Sequence, residues 1–400
     1  MREAYDVIVV GAGPAGSVAA CHAAQGGAKV LLLEKDRDIG VPVRCAEGVG
    51  DAGLRLVVEP KPEWIYTKIE GVNLIAPNGM RVRLQDQKFG YVLNRKIFDN
   101  YLAEKAARAG TEIRTKAYVD GLLFEDNYVA GVTVQNLGKR YSIRAKIVIG
   151  ADGVESRVGR WAGINTQLKL VDLETCVQVT MVNVEVDSHY CDFYFSRQIA
   201  PGGYAWVFPK GEGIANIGLG VSGEYARQHS PLYYLNRFVE KYFPNGAILT
   251  TSIGGVPVTA TLKPLTTNGL MLVGDAAHQA NPISGGGIVS GMIAGRIAGM
   301  VAADAVQEGD YSKSYLSRYE RQWYKEEGNN HKVFYRLKQA VYKLTDDDLN
   351  RTAEAVLKLP QPKRTIVNVF KAALINNPKL IIDAIKVFKD QTFAVFEPLT

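Results

Sequence analysis

Four apolar residues, Val7-Ile8-Val9-Val10, run directly into Gly11-Ala12-Gly13-Pro14-Ala15-Gly16. After an alanine-rich stretch, a second apolar run, Val30-Leu31-Leu32-Leu33, ends at Glu34. Unbroken apolar runs of this length predict strands buried on both faces, and the alanine-rich stretch between them predicts a helix. Three glycines at this spacing turn the chain tightly, let the backbone approach a pyrophosphate, and allow the helix to pack closely on the sheet. The helix N-terminus then faces the phosphates. A carboxylate at Glu34 suits the hydroxyls of an adenosine ribose and repels a 2'-phosphate, so FAD or NAD(H) is favoured over NADP(H).

Beyond Glu34 the polar segment 35–51, with Pro42, Arg44 and Cys45, predicts a long loop beside the cofactor crevice. Residues 69–84 predict two short strands about the turn Pro77-Asn78-Gly79. Residues 95–109 predict an amphipathic helix with Ile97, Phe98, Tyr101, Leu102 and Ala106 on its apolar face. Alternation over 113–134 and 141–149 predicts an antiparallel excursion that returns to the first sheet and ends at Asp152-Gly153. Strand-like runs begin near Leu170 and extend to about Val221. A second buried strand, Leu270-Met271-Leu272-Val273, then runs into Gly274-Asp275 and a glycine-rich turn before a helix. From Tyr311 onward the pattern is helical and charged, broken by Pro360, Pro362 and Pro378.

The fold class expected is therefore α/β: a Rossmann-type FAD-binding fold with an inserted mixed or antiparallel substrate sheet and a C-terminal helical cap. The boundaries expected are 1–169 with 265–310 for a discontinuous FAD-binding domain, 170–264 for the substrate sheet, and 311–400 for the helical region. Length and composition permit this, since 400 residues that are 47% apolar can bury more than one core. Four scattered cysteines, Cys21, Cys45, Cys176 and Cys191, give no metal spacing and no disulfide framework, which suits a reducing compartment. The first strand starts too early for a signal peptide, which predicts a cytoplasmic protein. The softly apolar stretch 288–306 contains Arg296 and Asp304 and is rich in Gly and Ala, so it reads as a buried helix rather than a membrane span. A formal charge of +6 without a clustered basic block or recognition motif argues against nucleic acid as partner. It suits an acidic donor protein or an anionic lipid surface.

The motifs 9–16, Asp152-Gly153 and Gly274-Asp275, in this order, resemble the three flavin fingerprints of the p-hydroxybenzoate hydroxylase-like FAD superfamily. The segment Tyr204-Ala205-Trp206-Val207-Phe208-Pro209-Lys210, followed by Gly218 and Gly220, is more narrowly similar to the lipid-contacting signature of the geranylgeranyl reductase family. This resemblance implies FAD as cofactor, with Gly11, Gly13, Ala15, Gly16, Glu34, Arg44, Arg95, Asp152, Gly274, Asp275, Gly286, Gly287 and Ile288 as its binding residues. It implies a substrate face at Tyr204, Trp206 and Phe208, which alternate along one strand and so share a side. It also makes Cys45 the candidate catalytic residue, as proton donor, orienter of water, or shaper of a narrow apolar pocket. A packed small hydrophobe is the ordinary reading of a lone Cys, and a sheet core that of an aromatic row.

The function implied is FAD-dependent reduction of isoprenoid double bonds in digeranylgeranylglycerophospholipids or related geranylgeranyl lipids. Flavin hydride transfer is coupled to protonation, because an isolated alkene has no carbonyl to accept electron density. An FAD-dependent monooxygenase or halogenase is the alternative within the superfamily, and a noncatalytic prenyl-lipid-binding protein is the third reading. Reduced ferredoxin, a deazaflavin or NAD(P)H are the electron donors to be expected. Peripheral contact with the cytosolic face of the membrane is expected from Leu380-Ile381-Ile382 and the basic residues around them.

Overall fold

The computed structural model describes residues 4–375, apart from the side chains at 86–88. In chain order the strands are β1 (Ala4–Val10), β2 (Val30–Leu33), β3 (Gly48–Gly50), β4 (Ile65–Ile75), β5 (Arg81–Leu93), β6 (Glu112–Arg114), β7 (Ala117–Glu125), β8 (Tyr128–Asn136), β9 (Lys139–Gly150), β10 (Leu173–Val182), β11 (Tyr190–Tyr194), β12 (Ala205–Pro209), β13 (Ile214–Ser222), β14 (Ala247–Pro257), β15 (Thr266–Thr267) and β16 (Leu270–Leu272). The helices are α1 (Pro14–Gln25), α2 (Asp51–Arg55), α3 (Arg95–Arg108), α4 (Arg157–Trp161), α5 (Pro231–Tyr242), α6 (Ile288–Glu308), α7 (Lys313–Trp323), α8 (Asn329–Val341), α9 (Asp346–Leu357) and α10 (Ile366–Ile375). Two compact units result. Among the described residues the first takes 4–43, 95–168 and 257–332; the second takes 44–94, 169–256 and 333–375.

The first unit is built on the order β15-β16-β9-β1-β2-β6, with β7 and β8 extending it antiparallel from β9. From β16 to β6 the ladder is parallel. Leu32, Val9, Ile149 and Met271 stand in one register row and are fully buried, as expected where helices cover both faces of a sheet. That row brings the carboxyl ends of four strands level, so Gly11, Glu34, Asp152 and Gly274 all follow at the same end of the sheet, where open α/β folds bind ligands.

Helix α6 lies against α1 with almost no side chain between them: a Cβ built on Gly295 would stand 2.2 Å from the Ala15 carbonyl oxygen. Among the described residues α6 is the one helix long and apolar enough to cross a membrane, and 78% of its apolar window is buried inside the protein. It is a core helix. Helix α7 fixes the turn ahead of α6, because the Tyr319 hydroxyl donates to the Leu272 carbonyl at 2.7 Å and accepts from Gln279 Nε2 at 2.8 Å. Gln279 Oε1 in turn accepts from the Gly274 N–H at 2.7 Å. In α3 the buried stripe is Phe98, Leu102, Ala103 and Ala106. Ile97, expected on that stripe, is instead exposed, because one step around a helix carries it about 100° off the stripe centred on Phe98 and Leu102.

The second unit is a sheet in the order β14-β10-β13-β12-β11-β4-β5-β3, antiparallel from β10 to β3 except for β11 beside β4. The hairpin expected over 69–84 is here and is longer: β4 and β5 reach back to Ile65 and on to Leu93. Sequence patterning groups 44–94 with the nucleotide-binding part, whereas its three strands hydrogen-bond into this second sheet through β11. One face of the sheet carries Val177, Val179, Val207, Ile217 and Leu219 against Leu235 and Phe238 of α5. The other carries Trp206, Phe208, Val82 and Leu84 against Ala353 and Val356 of α9, with Val369 and Ala372 of α10 beside them. Residues 311–332, expected to open the helical cap, belong to the first unit, while Pro378 and Leu380-Ile381-Ile382 lie outside the described residues.

The α1–α6 contact separates two glycines of one helix. Gly295→Ala drives a methyl into the Ala15 carbonyl and is expected to cost roughly 1 to 3 kcal/mol of folding stability. At Gly291 the same methyl would meet nothing nearer than 3.4 Å, so Gly291→Ala should be neutral or stabilising by up to about 1 kcal/mol. Urea unfolding of the ligand-free variants measures both, and equal effects would show that the contact is looser than described.

Candidate functional site

The three glycines after β1 do different work. Gly11, at φ +104°, and Gly16 are required by the chain itself: a Cβ on Gly11 would stand 2.3 Å from the Ala151 oxygen, and one on Gly16 1.9 Å from the Gly11 oxygen. At Gly13, the N-cap of α1, a Cβ would meet no atom within 4 Å, and the backbone is extended. What Gly13 keeps clear is space in front of the helix N-terminus, where Pro14 occupies the first turn and no side chain caps the free N–H groups.

Glu34 closes this cradle from the neighbouring strand. Its Oε2 accepts from the Ala12 N–H at 2.8 Å and its Oε1 from the Asp36 N–H at 2.9 Å. The carboxylate is thereby fixed, and each oxygen retains acceptor capacity for a hydroxyl. Arg95, at the start of α3, is a half-buried cation held by Asp99 through two bonds of 2.7 and 2.8 Å.

Beyond β16, Gly274 takes φ +66° and its α-carbon lies close to Ala15, whose methyl would stand 3.0 Å from a Cβ there. Burial pushes the Asp275 carboxyl up to about 6, with the Arg95 guanidinium acting in the opposite sense. Two expected cofactor residues from distant parts of the sequence therefore share one electrostatic environment. Asp275 Oδ1 would stand 3.0 Å from a Cβ on Gly287, the N-cap of α6, which has no side-chain cap. Asn281 shapes the loop leading there: its Oδ1 accepts from the N–H groups of Ile283 and Ser284, and its own N–H donates to the Gly286 carbonyl. Ser284 Oγ accepts from the Gly286 N–H at 3.2 Å, so Gly287 and Ile288 form the uncapped part of this helix start, beside an acid.

Asp152, at the end of β9, uses Oδ2 to accept from the Val158 N–H at 3.0 Å, while its Oδ1 is buried without a partner. Burial raises this carboxyl too. Ser290 Oγ, in the first turn of α6, is likewise buried and unpartnered. Open space before Gly13, a fixed acid at Glu34, two uncapped helix starts and two orphaned polar atoms fit a dinucleotide with a diphosphate and several hydroxyls.

In the second unit, strands β10, β13 and β12 set up three rows across one face. Cys176 pairs with Gly220, whose N–H bonds the Tyr204 carbonyl; Gln178 pairs with Gly218 and that with Trp206; Thr180 pairs with Asn216 and that with Phe208. Small central residues let the outer ones meet: a Cβ on Gly218 would stand 2.6 Å from the Trp206 ring. Trp206 Nε1 accordingly donates to Gln178 Oε1 at 3.0 Å. Gln178 Nε2 passes the contact on to the Cys45 carbonyl at 3.0 Å. Tyr204, Trp206 and Phe208 do share a face, with Phe193 packed between Tyr204 and Phe208 at ring separations of 5.5 and 5.3 Å.

Cys45 is half-buried, and its Sγ accepts from the Glu47 N–H at 3.2 Å. Arg44 is exposed, next to Gly254 of β14. Glu47, at φ +74°, is buried, and its Oε2 accepts from Lys210 Nζ at 2.5 Å and from Asn216 Nδ2 at 2.6 Å. No sequence motif points to Gln178, Glu47, Lys210 or Asn216 as the group that fixes the Cys45 loop. A signal exists for Gln178: Glu174, Cys176, Gln178 and Thr180 form a period-two polar row, which on an ordinary sheet faces water, yet Glu174 and Gln178 are buried.

Two family models match the chain, and they overlap over 172–211. Residues 4–211 match the FAD binding domain model and residues 172–256 the geranylgeranyl reductase catalytic domain model. The chain is 46% identical to the digeranylgeranylglycerophospholipid reductase of Methanosarcina acetivorans, over 100% of both chains. The chain belongs to the digeranylgeranylglycerophospholipid reductase family. Another member, from Methanocella arvoryzae, is 46% identical over 95% of this chain and 98% of its own. A solved geranylgeranyl bacteriochlorophyll reductase-like protein from Thermoplasma acidophilum superposes with a TM-score of 0.91 at 36% identity, covering 96% of this chain and all of that one. The flavin-dependent brominase Bmp2 superposes with a TM-score of 0.73 at 17% identity, covering 96% and 100%, which is a likeness of fold. FAD is the cofactor of this family's nucleotide-binding domain.

Two measurements probe the cradle. Gly13→Ala leaves unfolding of the ligand-free protein unchanged, because a Cβ there meets nothing within 4 Å, yet weakens FAD at least tenfold, about 1.4 kcal/mol, in a fluorescence titration. Asp275 is an acid raised in the folded protein, so its contribution to stability is present below about pH 4 and is lost as pH rises through about 6. In the ligand-free protein Asp275→Asn should therefore gain roughly 1 to 3 kcal/mol at pH 7.5 and nothing below pH 4. A pH-independent difference in denaturant midpoints would contradict the burial of that carboxylate.

Proposed function

We propose that the chain is an FAD-dependent reductase that saturates isoprenoid double bonds of digeranylgeranylglycerophospholipids or related geranylgeranyl lipids. Its full-length likeness to reductases named for that lipid carries the reading. The aromatic row of Tyr204, Trp206 and Phe208 supports it, since an isoprenyl chain offers only apolar surface and methyl groups for recognition.

In this reading Gly11, Gly13, Ala15, Gly16, Glu34, Arg95, Asp152, Gly274, Asp275, Gly286, Gly287 and Ile288 hold FAD, with Arg44 offering a charge from the loop before Cys45. Reduced FAD supplies the hydride. Glu34 binds the adenosine ribose, and Gly13 admits the diphosphate to the start of α1. The N–H groups of Gly287 and Ile288, at the uncapped start of α6, would set positive partial charge against the anion of a reduced flavin. Tyr204, Trp206 and Phe208 bind the prenyl chain and exclude water, while Gln178 keeps Trp206 and the Cys45 loop at a fixed separation. Cys45 shapes the reactive end of that pocket. Reduced ferredoxin, a deazaflavin or NAD(P)H delivers electrons, and the protein meets its lipid by peripheral contact with a membrane.

The test is direct. FAD-loaded protein is reduced chemically under anaerobic conditions and mixed with the geranylgeranyl phospholipid, and the lipid is then weighed by mass spectrometry. Two hydrogens gained per flavin reoxidised, with no oxygen incorporated, is the expected result. An unaltered lipid after complete flavin reoxidation defeats the reading. Replacing the chemical reductant by each of the three donors in turn identifies the one that reduces the flavin.

A further inference from the structure

Glu174 is buried in the second unit, and binding of FAD or of the prenyl chain does not account for it. It stands on β10 two residues before Cys176 and so shares the face of Cys176 and Gln178. Its Oε1 accepts from the Tyr342 hydroxyl, on the turn after α8, at 2.5 Å. Its Oε2 is buried and has no hydrogen-bond partner. That oxygen faces two glycines: a Cβ on Gly203 would stand 2.9 Å from it, and one on Gly220 3.5 Å. Gly220 continues the row of Cys176 and Tyr204, so bare backbone separates Oε2 from the end of the aromatic stripe.

A carboxylate ion in this place would have one oxygen desolvated and unpaired, which is costly, whereas a carboxylic acid carries its proton on that oxygen. Burial pushes the Glu174 carboxyl up to about 7, against the Tyr342 hydrogen bond and the Lys338 charge, which favour the ion. Lys338 donates to the Val171 carbonyl at 2.8 Å, and Asp172 accepts from Tyr335 at 2.9 Å. Tyr204 and Cys176, the other titratable neighbours, are both raised by burial and by Glu174, and so keep their protons at neutral pH.

We propose that Glu174 is the proton donor of the reduction, with Oε2–H aimed across Gly220 at the prenyl chain. The proposal rests on the reductase reading. The alkene π pair takes the Glu174 proton to form one C–H bond, and a hydride from reduced flavin forms the other, so the flavin loses two electrons and the carboxyl is left as an anion. The Tyr342 hydroxyl and the Lys338 charge stabilise that anion until solvent returns its proton. Tyr342 is a positioning residue in this scheme.

The test follows flavin reoxidation by the geranylgeranyl phospholipid in a single turnover of FAD-loaded, prereduced protein across pH 5 to 9. Glu174→Gln should keep FAD and bind the lipid, yet react roughly a hundredfold more slowly and without the parent's decline in rate above neutrality. Tyr342→Phe removes a bond that favours the anion, so the midpoint of that decline should move to higher pH. Infrared difference spectra provide a reading independent of turnover: a protonated carboxyl band at neutral pH, absent in Glu174→Gln. Parent-like turnover in Glu174→Gln, or no such band, overturns the assignment while leaving the reductase reading intact. A wild-type protein that binds FAD and lipid but never saturates the lipid overturns both.

Discussion

Omitted side chains are the constraint on which both units depend. The first unit brings the carbonyl of Ala15 onto Gly295 and the Gly16 backbone onto Gly11, so that strand, turn and two helices meet as bare backbone. The start of α1 lies just as close to the turn at Gly274, where a Cβ would stand 3.0 Å from the Ala15 methyl. In the second unit the same device works across a sheet, where Gly218 lets an indole lie over the central strand and reach Gln178. In close-packed interiors a single methyl is felt, so these positions tolerate less change than the large residues around them.

Desolvation is the second organising influence. Asp152, Glu174 and Asp275 are all acids whose carboxyls burial raises, and in each the opposing hydrogen bonds or charges are incomplete. Asp192 shows the other arrangement: burial raises its carboxyl as well, yet Asn73 and Arg81 bond both of its oxygens. Folding alone gives no reason to leave an acid half paired, because the cost is borne by stability. Groups of that kind concentrate where a ligand or a proton has to be handled.

Residues 4–34 are legible because strand, glycine turn and helix are local in sequence, and the same holds for the strand and turn at 270–275. The aromatic face of β12 is legible from its alternation alone. The hairpin over 65–93 is only partly so, since its middle, Gln85-Asp86-Gln87-Lys88, carries no apolar alternation and falls at the break in register between the Ile69–Gly90 and Gly71–Gln85 pairs. The allegiance of 44–94 is not legible, because it depends on β11 pairing with β4 from more than a hundred residues away. Gln178 and Glu174 escape for a related reason: a polar row on a strand signals solvent until the elements packed over it are known. Resemblance supplies the cofactor and the substrate face, while these bridging residues need coordinates.

The rows Cys176–Gly220–Tyr204, Gln178–Gly218–Trp206 and Thr180–Asn216–Phe208 have a consequence for how such proteins diverge. Positions 216, 218 and 220 all sit on β13, the middle strand, and alternate with residues that serve the opposite core. One short segment therefore acts as a depth gauge for the whole face: with glycine at 218 and 220 the floor is as low as bare backbone allows, and a methyl at 218 would stand 2.6 Å from the Trp206 ring and 2.7 Å from the Val177 carbonyl oxygen. A floor that cannot be thickened at 218 without moving its neighbours leaves divergence in shape to the walls, the residues of the flanking strands that stand over it.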